Sequence, residues 1–459
     1  MIDKLIFILY IATILSIAIY FRSKSKKFSD YTKIGSSFAS SKIVFVAAIF
    51  TSSVGGGTTF GIPEKVYQGQ IYYPIALILV ILVDLLIAKY LVARLKSFDA
   101  QTIGDVLSIH YGKLGRLVGG ISTILVSVGY MAVQMNVSSY ILQFFMGFNH
   151  LISILGSYGI IILFNLIGGV RSIFANHVLQ FIAIIIAIPV IFFLGIKHVG
   201  VDNLIGYLES DRMAIECFDV NLLIAIISFS IMSFHPTLIQ RVAVSKDAQT
   251  VTSAIYVKSI IYLLLIVLIT FNGIFAKMLE GNMVAWQALP YMINSIIPEG
   301  LKGLVIVGLM ASVISTGDSE LNIASLSLIK DIFISLLKIK DNRLMFTLAR
   351  IFILLFAFLG IVSALYFDNI IDIVIFAAGF WAPVVLVPAI FSLYGIRVSQ
   401  VYFFLSSIFG LCSFLIWEIF FKAQYNINSI IIGSLASLII FLLGLRINAI
   451  LQKLKNLVL

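Results

Sequence analysis

Four hydroxyl side chains recur at helical spacing inside one strongly apolar segment of the chain. Ser312, Ser315, Thr316 and Ser319 stand at positions i, i+3, i+4 and i+7, so a helix would present them on one side. Hydroxyl and carbonyl oxygens are hard, neutral ligands that suit a hard cation such as Na⁺, whereas a transition metal favours clusters of Cys and His. The spacing therefore indicates a sodium site, although Ser and Thr also serve close helix packing in membranes.

Acidic and amide side chains extend the same helix face. Asp318 and Asn322 lie among and just after the hydroxyl residues, and Glu320 lies at the edge of the face, towards the expected cytoplasmic surface. A carboxylate near the middle of a membrane costs at least about 2.5–3.5 kcal/mol on insertion scales and normally faces a partner or water. We therefore expect Asp318 to belong to an ion path.

Two broken apolar segments are expected to supply the other side of the site. Residues 43–63 are cut by three glycines at 55–57, and residues 221–242 are cut by Phe-His-Pro at 234–236. A backbone that stops being helical in lipid leaves N–H and C=O groups unpaired, so a break is tolerated only where it is buried in protein or lines a cavity. Such breaks in both halves of a chain indicate the binding site of a secondary transporter, where unwound carbonyls also coordinate the ion.

Composition places the whole chain in a membrane. Of its 459 residues, 61% are hydrophobic and 11% are charged, about half the charged fraction of a soluble domain. Apolar runs of about 20 residues, each long enough to cross a hydrocarbon layer of about 30 Å, recur from end to end. The net charge of +10 is explained by basic loops on one side of the bilayer, so we expect the lipid bilayer as a partner and no nucleic acid.

Hydropathy predicts an all-α polytopic membrane protein with about thirteen transmembrane helices. The spans are expected near residues 4–21, 42–63, 71–93, 116–143, 148–169, 172–196, 220–242, 252–277, 301–329, 343–366, 368–395, 398–421 and 427–450. An N-terminus outside and a cytoplasmic C-terminus put nearly every basic cluster on the cytoplasmic side. The expected location is the cell (inner) membrane, with the first span retained as an uncleaved helix.

The two broken segments are the second and the seventh predicted spans. An offset of five reverses their direction in the membrane, as in an inverted repeat of five plus five helices. The resulting division is an extra N-terminal span and cytoplasmic loop, a first repeat, a second inverted repeat, and two C-terminal spans with the tail, at residues 1–35, 36–200, 201–397 and 398–459. A short re-entrant or surface helix is expected at 280–300. Cys217 and Cys412 show no metal-ligand spacing.

Several separate motifs, in the right order, resemble the sodium/solute symporter family, which includes bacterial proline, pantothenate, sialic acid and sugar symporters. The most extensive is residues 303–322, GLVIVGLMASVISTGDSELN. Four other stretches also resemble that family, namely Ser29-Asp30-Tyr31 with Gly35, Thr102 to Asp105, Gly168 to Arg171, and Pro236 to Arg241. The likeness covers almost the whole chain.

This resemblance implies a LeuT-like core of ten helices, preceded by one extra span and followed by two. It implies a sodium site between the second and ninth spans, formed by the carbonyls of Thr51, Val54 and Ser312 and the hydroxyls of Ser315 and Thr316. The family's solute site lies beside it, which here corresponds to Ser53, Gly57, Thr58, Gln134, Phe234 and His235. Trp381 on the eleventh span is expected to act as a gate.

Two departures from the family pattern bear on the ions and the solute. Sugar- and sialate-type members carry an Asp in the sixth span where this chain has His177, which argues against a second sodium there and leaves His177 as a packing residue or a part of the ion path. The proline branch has an Asp where this chain has Ser53 and an aromatic residue where it has Gly57, so proline is not favoured. The His235-Pro236 pair resembles the proline- and pantothenate-type members more than the sugar group.

The sequence thus predicts a Na⁺-coupled symporter that imports a small organic solute by alternating access. The solute is expected to bear a carboxylate, as an amino acid, pantothenate, a sialic acid or an organic acid does. Na⁺ is the co-transported ion, and we expect no organic cofactor, no enzymatic activity and a functional monomer. Two alternatives remain on the same fold: a proton-coupled carrier, with His177 or Asp318 as the proton group, and a solute sensor.

Overall fold

The computed structural model describes residues 2–22, 36–167, 169–209, 220–339, 341–366, 370–425 and 427–458. These residues form helices and their connections, with no strand among them. The family-like stretch that ends at Gly35 lies outside the described residues, as do Gly168 and Cys217.

The main helices are numbered here along the chain. They are α1 (Ile2–Arg22), α2 (Lys42–Ser53), α3 (Gly57–Tyr67), α4 (Tyr72–Ser97), α5 (Ile103–Met146), α6 (His150–Ile167), α7 (Val170–Val199), α8 (Val201–Glu209), α9 (Val220–Met232), α10 (Pro236–Val244), α11 (Ala248–Leu279), α12 (Ala285–Ile296), α13 (Leu301–Ile334), α14 (Asn342–Tyr366), α15 (Ile370–Leu393), α16 (Gln400–Phe421) and α17 (Ser429–Val458).

The helices match a polytopic membrane protein. Within the described residues, ten helical segments are long and apolar enough to cross a membrane, with α9 and α10 counted as one, and the pair α2 and α3, bent by 53°, makes an eleventh. The prediction of an all-helical, multi-span fold is therefore confirmed. Helices α6 and α14 occupy the two other predicted spans, and the total of thirteen stays a prediction.

Helix α5 begins earlier than hydropathy predicts. Hydropathy predicts that this span begins near residue 116, but the helix begins at Ile103, after the N-cap Thr102. The Thr102 hydroxyl accepts a hydrogen bond from the Asp105 N–H at 3.0 Å, and the Asp105 carboxylate accepts one from the Thr102 N–H at 3.3 Å. This reciprocal cap stabilises a helix start in a polar stretch, and a backbone kink at Gly112, with φ of 58°, then turns the chain into the long apolar part.

Helix α13, which carries the hydroxyl face, is the centre of the fold. Its residues 305–329 are all buried, and it packs against α5, α7 and α1. The approach to α7 is close, because a Cβ built on Gly308 would lie only 2.2 Å from the Ala187 Cβ. Small residues allow such contact between membrane helices. The hydroxyl side chains of α13 are therefore held by rigid, tightly packed backbone.

An ion-pair cluster ties the start of α5 to the end of α13. Arg116 lies 2.8 Å from the Asp105 carboxylate and 3.5 Å from that of Asp331. Lys330 also pairs with Asp105, and the Thr102 hydroxyl donates to Asp331 at 2.8 Å. Because ion pairs and a hydrogen bond join residues of the two helices, the cluster fixes how α13 sits against α5.

Helix α11, which forms one wall of the central cavity, starts at a side-chain cap. The Asp247 carboxylate accepts hydrogen bonds from the Thr250 N–H at 2.7 Å and from its hydroxyl at 2.8 Å. These bonds stabilise the ionised carboxylate, so they hold the pKa of Asp247 below its ordinary value. The cap fixes where α11 begins, and so it also fixes the position of Lys258 along the helix axis, three turns further on.

An ion pair between Lys258 and Asp84 joins α11 to α4, and its loss is expected to destabilise the protein. The ammonium lies 2.7 Å from the carboxylate, and the two side chains are 6% and 20% exposed. Asp84→Asn leaves the buried ammonium without its counter-charge, so we expect the free energy of unfolding to fall by about 1–3 kcal/mol, less than for a fully buried pair. Thermal unfolding in detergent measures this. Asp84→Asn combined with Lys258→Met should recover part of the loss, and an additive loss would contradict the interpretation.

Candidate sodium and solute site

The break between α2 and α3 opens the backbone at the centre of the molecule. Helix α2 ends at Ser53, and Val54 leaves the helical conformation with φ of −105° and ψ of 76°. The chain becomes helical again at Gly57, where the N–H groups of Thr58 and Thr59 donate to the Gly55 carbonyl at 3.0 and 2.9 Å. The carboxyl end of α2, the negative end of its dipole, therefore terminates next to α13 and favours a cation there.

Oxygen atoms from α2 and α13 meet at this break. The hydroxyls of Ser315 and Thr316 each lie 3.1 Å from the Thr51 carbonyl oxygen, and the Ser315 hydroxyl is also 3.0 Å from the Ser312 carbonyl oxygen. All four residues are at most 3% exposed. Val54, the fifth residue of the expected sodium site, is fully buried and stands at the break itself. The structure thus brings oxygen atoms of Thr51, Ser312, Ser315 and Thr316 together as a neutral cluster, the kind of donor set that suits Na⁺.

Gly55 is required for this close approach. A Cβ built there would lie 2.7 Å from the Thr316 Oγ1 and 3.1 Å from the Gln134 Oε1. The next residue, Gly56, donates its N–H to the same Gln134 oxygen at 2.9 Å. The glycines therefore let the opened backbone contact α5 and α13 at once, which joins the oxygen cluster to Gln134.

A cavity of about 220 Å³ lies beside the oxygen cluster. Five of the six residues expected at the solute site line it, namely Ser53, Gly57, Thr58, Gln134 and His235, and Thr316 lines it as well. His235 caps α10 at the second break and lies against the Tyr130 ring, with 4.7 Å between ring centroids. A solute in this cavity would therefore be in reach of a residue of the expected sodium site.

Phe234 and Trp381 lie behind the cavity wall. The Trp381 indole N–H donates to the Phe234 carbonyl oxygen at 2.8 Å, and the two side chains are 1% and 2% exposed. Trp381 stands at an interruption within α15, between Gly379 and Ala382. The bond therefore ties the break between α9 and α10 to the interruption in α15, and neither residue is among those that line the cavity.

His177 and Asp318 face away from the cavity, on the far side of α13. The His177 Nε2 lies 3.3 Å from the Ser315 carbonyl oxygen. Asp318 accepts a hydrogen bond from the Asn165 side-chain amide at 2.9 Å. Both residues are buried. His177 is thus positioned to hold the backbone of a residue of the expected sodium site, and Asp318 joins α13 to α6.

Charged residues that the sequence analysis did not assign to the solute site also line the cavity. They are Asp84, Arg241, Lys258 and Glu320. The sequence predicts Glu320 at the edge of the hydroxyl face, towards the cytoplasmic surface, whereas in the structure Glu320 is 2% exposed and lines the cavity. The sequence does indicate that Glu320 shares a helix face with Thr316, because residues at i and i+4 lie one above the other on a helix.

Comparisons with known proteins agree with this geometry. The model of the Sodium:solute symporter family matches residues 37–410. Among curated proteins, the sodium/sialic acid symporter NanT of Aliivibrio fischeri (strain ATCC 700601 / ES114) is 21% identical over 381 residues, covering 78% of this chain and 75% of the relative.

Similar solved structures have the same fold. A Na⁺-coupled sialic acid symporter in a substrate-bound, outward-open state superposes with a TM-score of 0.82 at 17% identity, covering 97% of this chain and 98% of the other. MhsT in complex with L-phenylalanine gives a TM-score of 0.59 at 16% identity, covering 88% and 98%. MHP1, a nucleobase-cation-symport-1 family transporter in a closed conformation, gives 0.61 at 13% identity, covering 91% and 94%.

These neighbours are LeuT-like, and the resemblance inferred from the motifs is confirmed. The family match extends from the start of α2 into α16, so it includes both broken segments, the oxygen cluster and the cavity. The chain belongs to the sodium:solute symporter family.

Proposed function

We propose that this protein imports a small, carboxylate-bearing organic solute together with Na⁺ by alternating access. Na⁺ binds the carbonyl oxygens of Thr51, Val54 and Ser312 and the hydroxyls of Ser315 and Thr316. The observation that carries the proposal is the meeting of two α13 hydroxyls with the Thr51 carbonyl at a helix break. Na⁺-coupled solute import is also what the family does, and its members are transporters, not enzymes.

Coupling follows from the position of Thr316, which belongs both to the oxygen cluster and to the cavity wall. Na⁺ at the cluster holds the opened end of α2 against α13. The same contact fixes Gly55 and, through the Gly56 N–H, the side chain of Gln134. The ion therefore orders one wall of the solute cavity, and by reciprocity the solute favours Na⁺ binding.

The driving force is sufficient for concentrative uptake. One charge that moves through about 100 mV releases about 2.3 kcal/mol, and a tenfold sodium gradient adds about 1.4 kcal/mol. One coupled Na⁺ would thus support roughly a few-hundred-fold accumulation of solute.

The solute class is proposed from the cavity and the relatives. Ser53, Thr58 and Gln134 offer neutral polar groups beside the sodium site. The N-terminus of α3 is a poor anion site in this geometry, because the Gly56 N–H already donates to Gln134 and the N–H groups of Thr58 and Thr59 already donate to the Gly55 carbonyl. One relative is named for sialic acid, and MhsT was solved with L-phenylalanine. The solutes to test are therefore amino acids, sialic acids, pantothenate and short organic acids.

The finer architecture belongs to the same proposal. Thirteen spans, with α6 and α14 among them, give a repeat of five helices at 36–200 and an inverted one at 201–397. An external N-terminus and a cytoplasmic C-terminus in the cell (inner) membrane follow from the basic loops. The Arg241 end of the cavity then faces the cytoplasm. The functional unit is a monomer, because each site is built within one chain.

Uptake into proteoliposomes tests the proposal. The purified full chain is supplied with each solute of the panel under an inward gradient of NaCl, or of choline chloride at the same pH. We expect accumulation with sodium and background uptake with choline. Uptake that proceeds in choline and follows a pH gradient would support the proton-coupled alternative instead, and binding without any transport would support a sensor.

A further inference from the structure

Two buried charged residues line the cavity. Arg241 on α10 and Glu320 on α13 both line it, and each is 2% exposed. Glu320 lies one turn from Thr316, about 6 Å along the helix axis. A solute of moderate size can therefore reach these charges while it touches the wall that the sodium site orders.

Neither charge is fully satisfied by the protein. Arg241 donates to the Ser319 hydroxyl at 2.8 Å and stacks over Phe174, but within the described part of the chain its Nε has no hydrogen-bond partner. The same holds for the Oε2 of Glu320, whose other oxygen lies 3.7 Å from the His235 Nδ1. Taking an ion out of water costs several kcal/mol unless it finds partners. Each group therefore has bonding capacity left for a ligand.

The two charges do not pair with each other, although the same cavity contains a pair that does. Among the described side chains, no ion pair joins Arg241 to Glu320, whereas Lys258 and Asp84 are 2.7 Å apart. Two buried opposite charges that served only to neutralise each other would be expected in direct contact, as Lys258 and Asp84 are. Because Arg241 and Glu320 are not in direct contact, both remain available to a ligand group that bears both signs.

We propose that Arg241 and Glu320 form a subsite for the head group of a zwitterionic solute, an α-amino acid, with its carboxylate on Arg241 and its ammonium on Glu320. The guanidinium offers planar N–H donors that match a carboxylate, and a carboxylate accepts an ammonium. The side chain of the amino acid extends towards Ser53 and Gln134. This inference rests on the proposed function and narrows its solute class.

Chemical blocking of each end of the ligand tests the subsite. The full chain in detergent is screened by thermal shift against the L-α-amino acids, N-acetylneuraminate, pantothenate and short organic acids, in NaCl and in choline chloride. For each amino acid that stabilises the protein, the N-acetyl derivative and the carboxamide are titrated. We expect both derivatives to bind at least about tenfold more weakly, equivalent to about 1.4 kcal/mol.

Two variants assign the ends of the ligand. In Glu320→Gln, the N-acetyl derivative should bind within about twofold of the affinity of the free amino acid. In Arg241→Gln, the carboxamide should bind within about twofold of the free amino acid. The double variant Asp84→Asn/Lys258→Met is the control, because it removes an acid and a base of the same cavity that already pair with each other. In this variant both derivatives should still bind at least about tenfold more weakly than the free amino acid. A structural role of Arg241 or Glu320 would lower stability without changing this discrimination.

Specific outcomes overturn the inference. If N-acetylneuraminate, pantothenate or a simple organic acid binds and no free amino acid does, the subsite does not recognise a zwitterion. The same follows if the wild-type protein tolerates N-acetylation, a result that does not depend on the folding of any variant. Sodium-dependent binding of such an acid would leave the proposed function intact. Amino-acid binding that ignores sodium would contradict the proposed function and leave this subsite standing.

Discussion

Replacing Thr316 by Ala is expected to shift the sodium dependence of solute binding and uptake to much higher sodium concentrations while the chain still folds. The substitution removes one oxygen from the cluster, the hydroxyl that lies 3.1 Å from the Thr51 carbonyl. We expect sodium affinity to fall at least about tenfold, or about 1.4 kcal/mol. Because sodium binding favours solute binding, the stimulation of solute binding should then need at least about tenfold more sodium.

Binding of solute at a series of sodium concentrations measures this effect, with choline keeping the ionic strength constant. Ser325→Ala is the matched control: it removes a buried hydroxyl from the same helix, and that hydroxyl has no hydrogen-bond partner in the described part of the chain. Thr316→Ser, which keeps the oxygen, should retain most of the coupling. An unaltered sodium dependence in Thr316→Ala would remove Thr316 from the sodium site.

The residues of the proposed sodium site could be picked out in the sequence because the features that mark them are local. The i, i+3 and i+4 spacing of Ser312, Ser315 and Thr316 needs only helix geometry. The glycine triplet after Val54 needs only the rule that broken backbone in lipid must be buried in protein or line a cavity. Both features are present in the structure, and neither requires knowledge of how the helices pack.

Other features depend on packing and could not be obtained from spacing alone. The Phe234 side chain stands behind the cavity wall because its carbonyl accepts from Trp381, a residue 147 positions away. Glu320 and Arg241 line the cavity because α10 and α13 come into contact there. Hydropathy alone does not show which face of a buried helix meets a cavity. The early start of α5 at Ile103 follows from a polar cap, which a hydropathy window averages away.

Gly55→Ala is expected to disable the sodium site without removing a ligand atom. The added methyl would lie 2.7 Å from the Thr316 hydroxyl oxygen, so the Thr316 side chain must rotate or the opened backbone must move away. Either shift separates the hydroxyl from the Thr51 carbonyl. We expect sodium affinity to fall at least about tenfold, measured as in the Thr316 experiment.

Gly57→Ala is the matched substitution, two residues away on the same broken segment. There a Cβ meets the Val374 side chain at 3.4 Å, an ordinary contact, and Ala favours the helix that begins at this residue. Gly57 lines the cavity, so Gly57→Ala should change solute affinity and leave sodium affinity within about twofold. Equal loss of sodium affinity in both variants would mean that the whole segment, not the contact at Gly55, sets the site.

The double variant Gly55→Ala/Thr316→Ala decides whether the methyl acts through Thr316. With the hydroxyl gone, the added Cβ has no Oγ1 to displace, so the second substitution should cost little sodium affinity beyond the first. Residues that act through one contact are non-additive, whereas independent sites add. A full additive loss would place the effect of Gly55→Ala in the backbone carbonyls of Thr51 and Val54 instead. Either way, the cycle measures how much of the sodium binding depends on the close approach of α13 to the break.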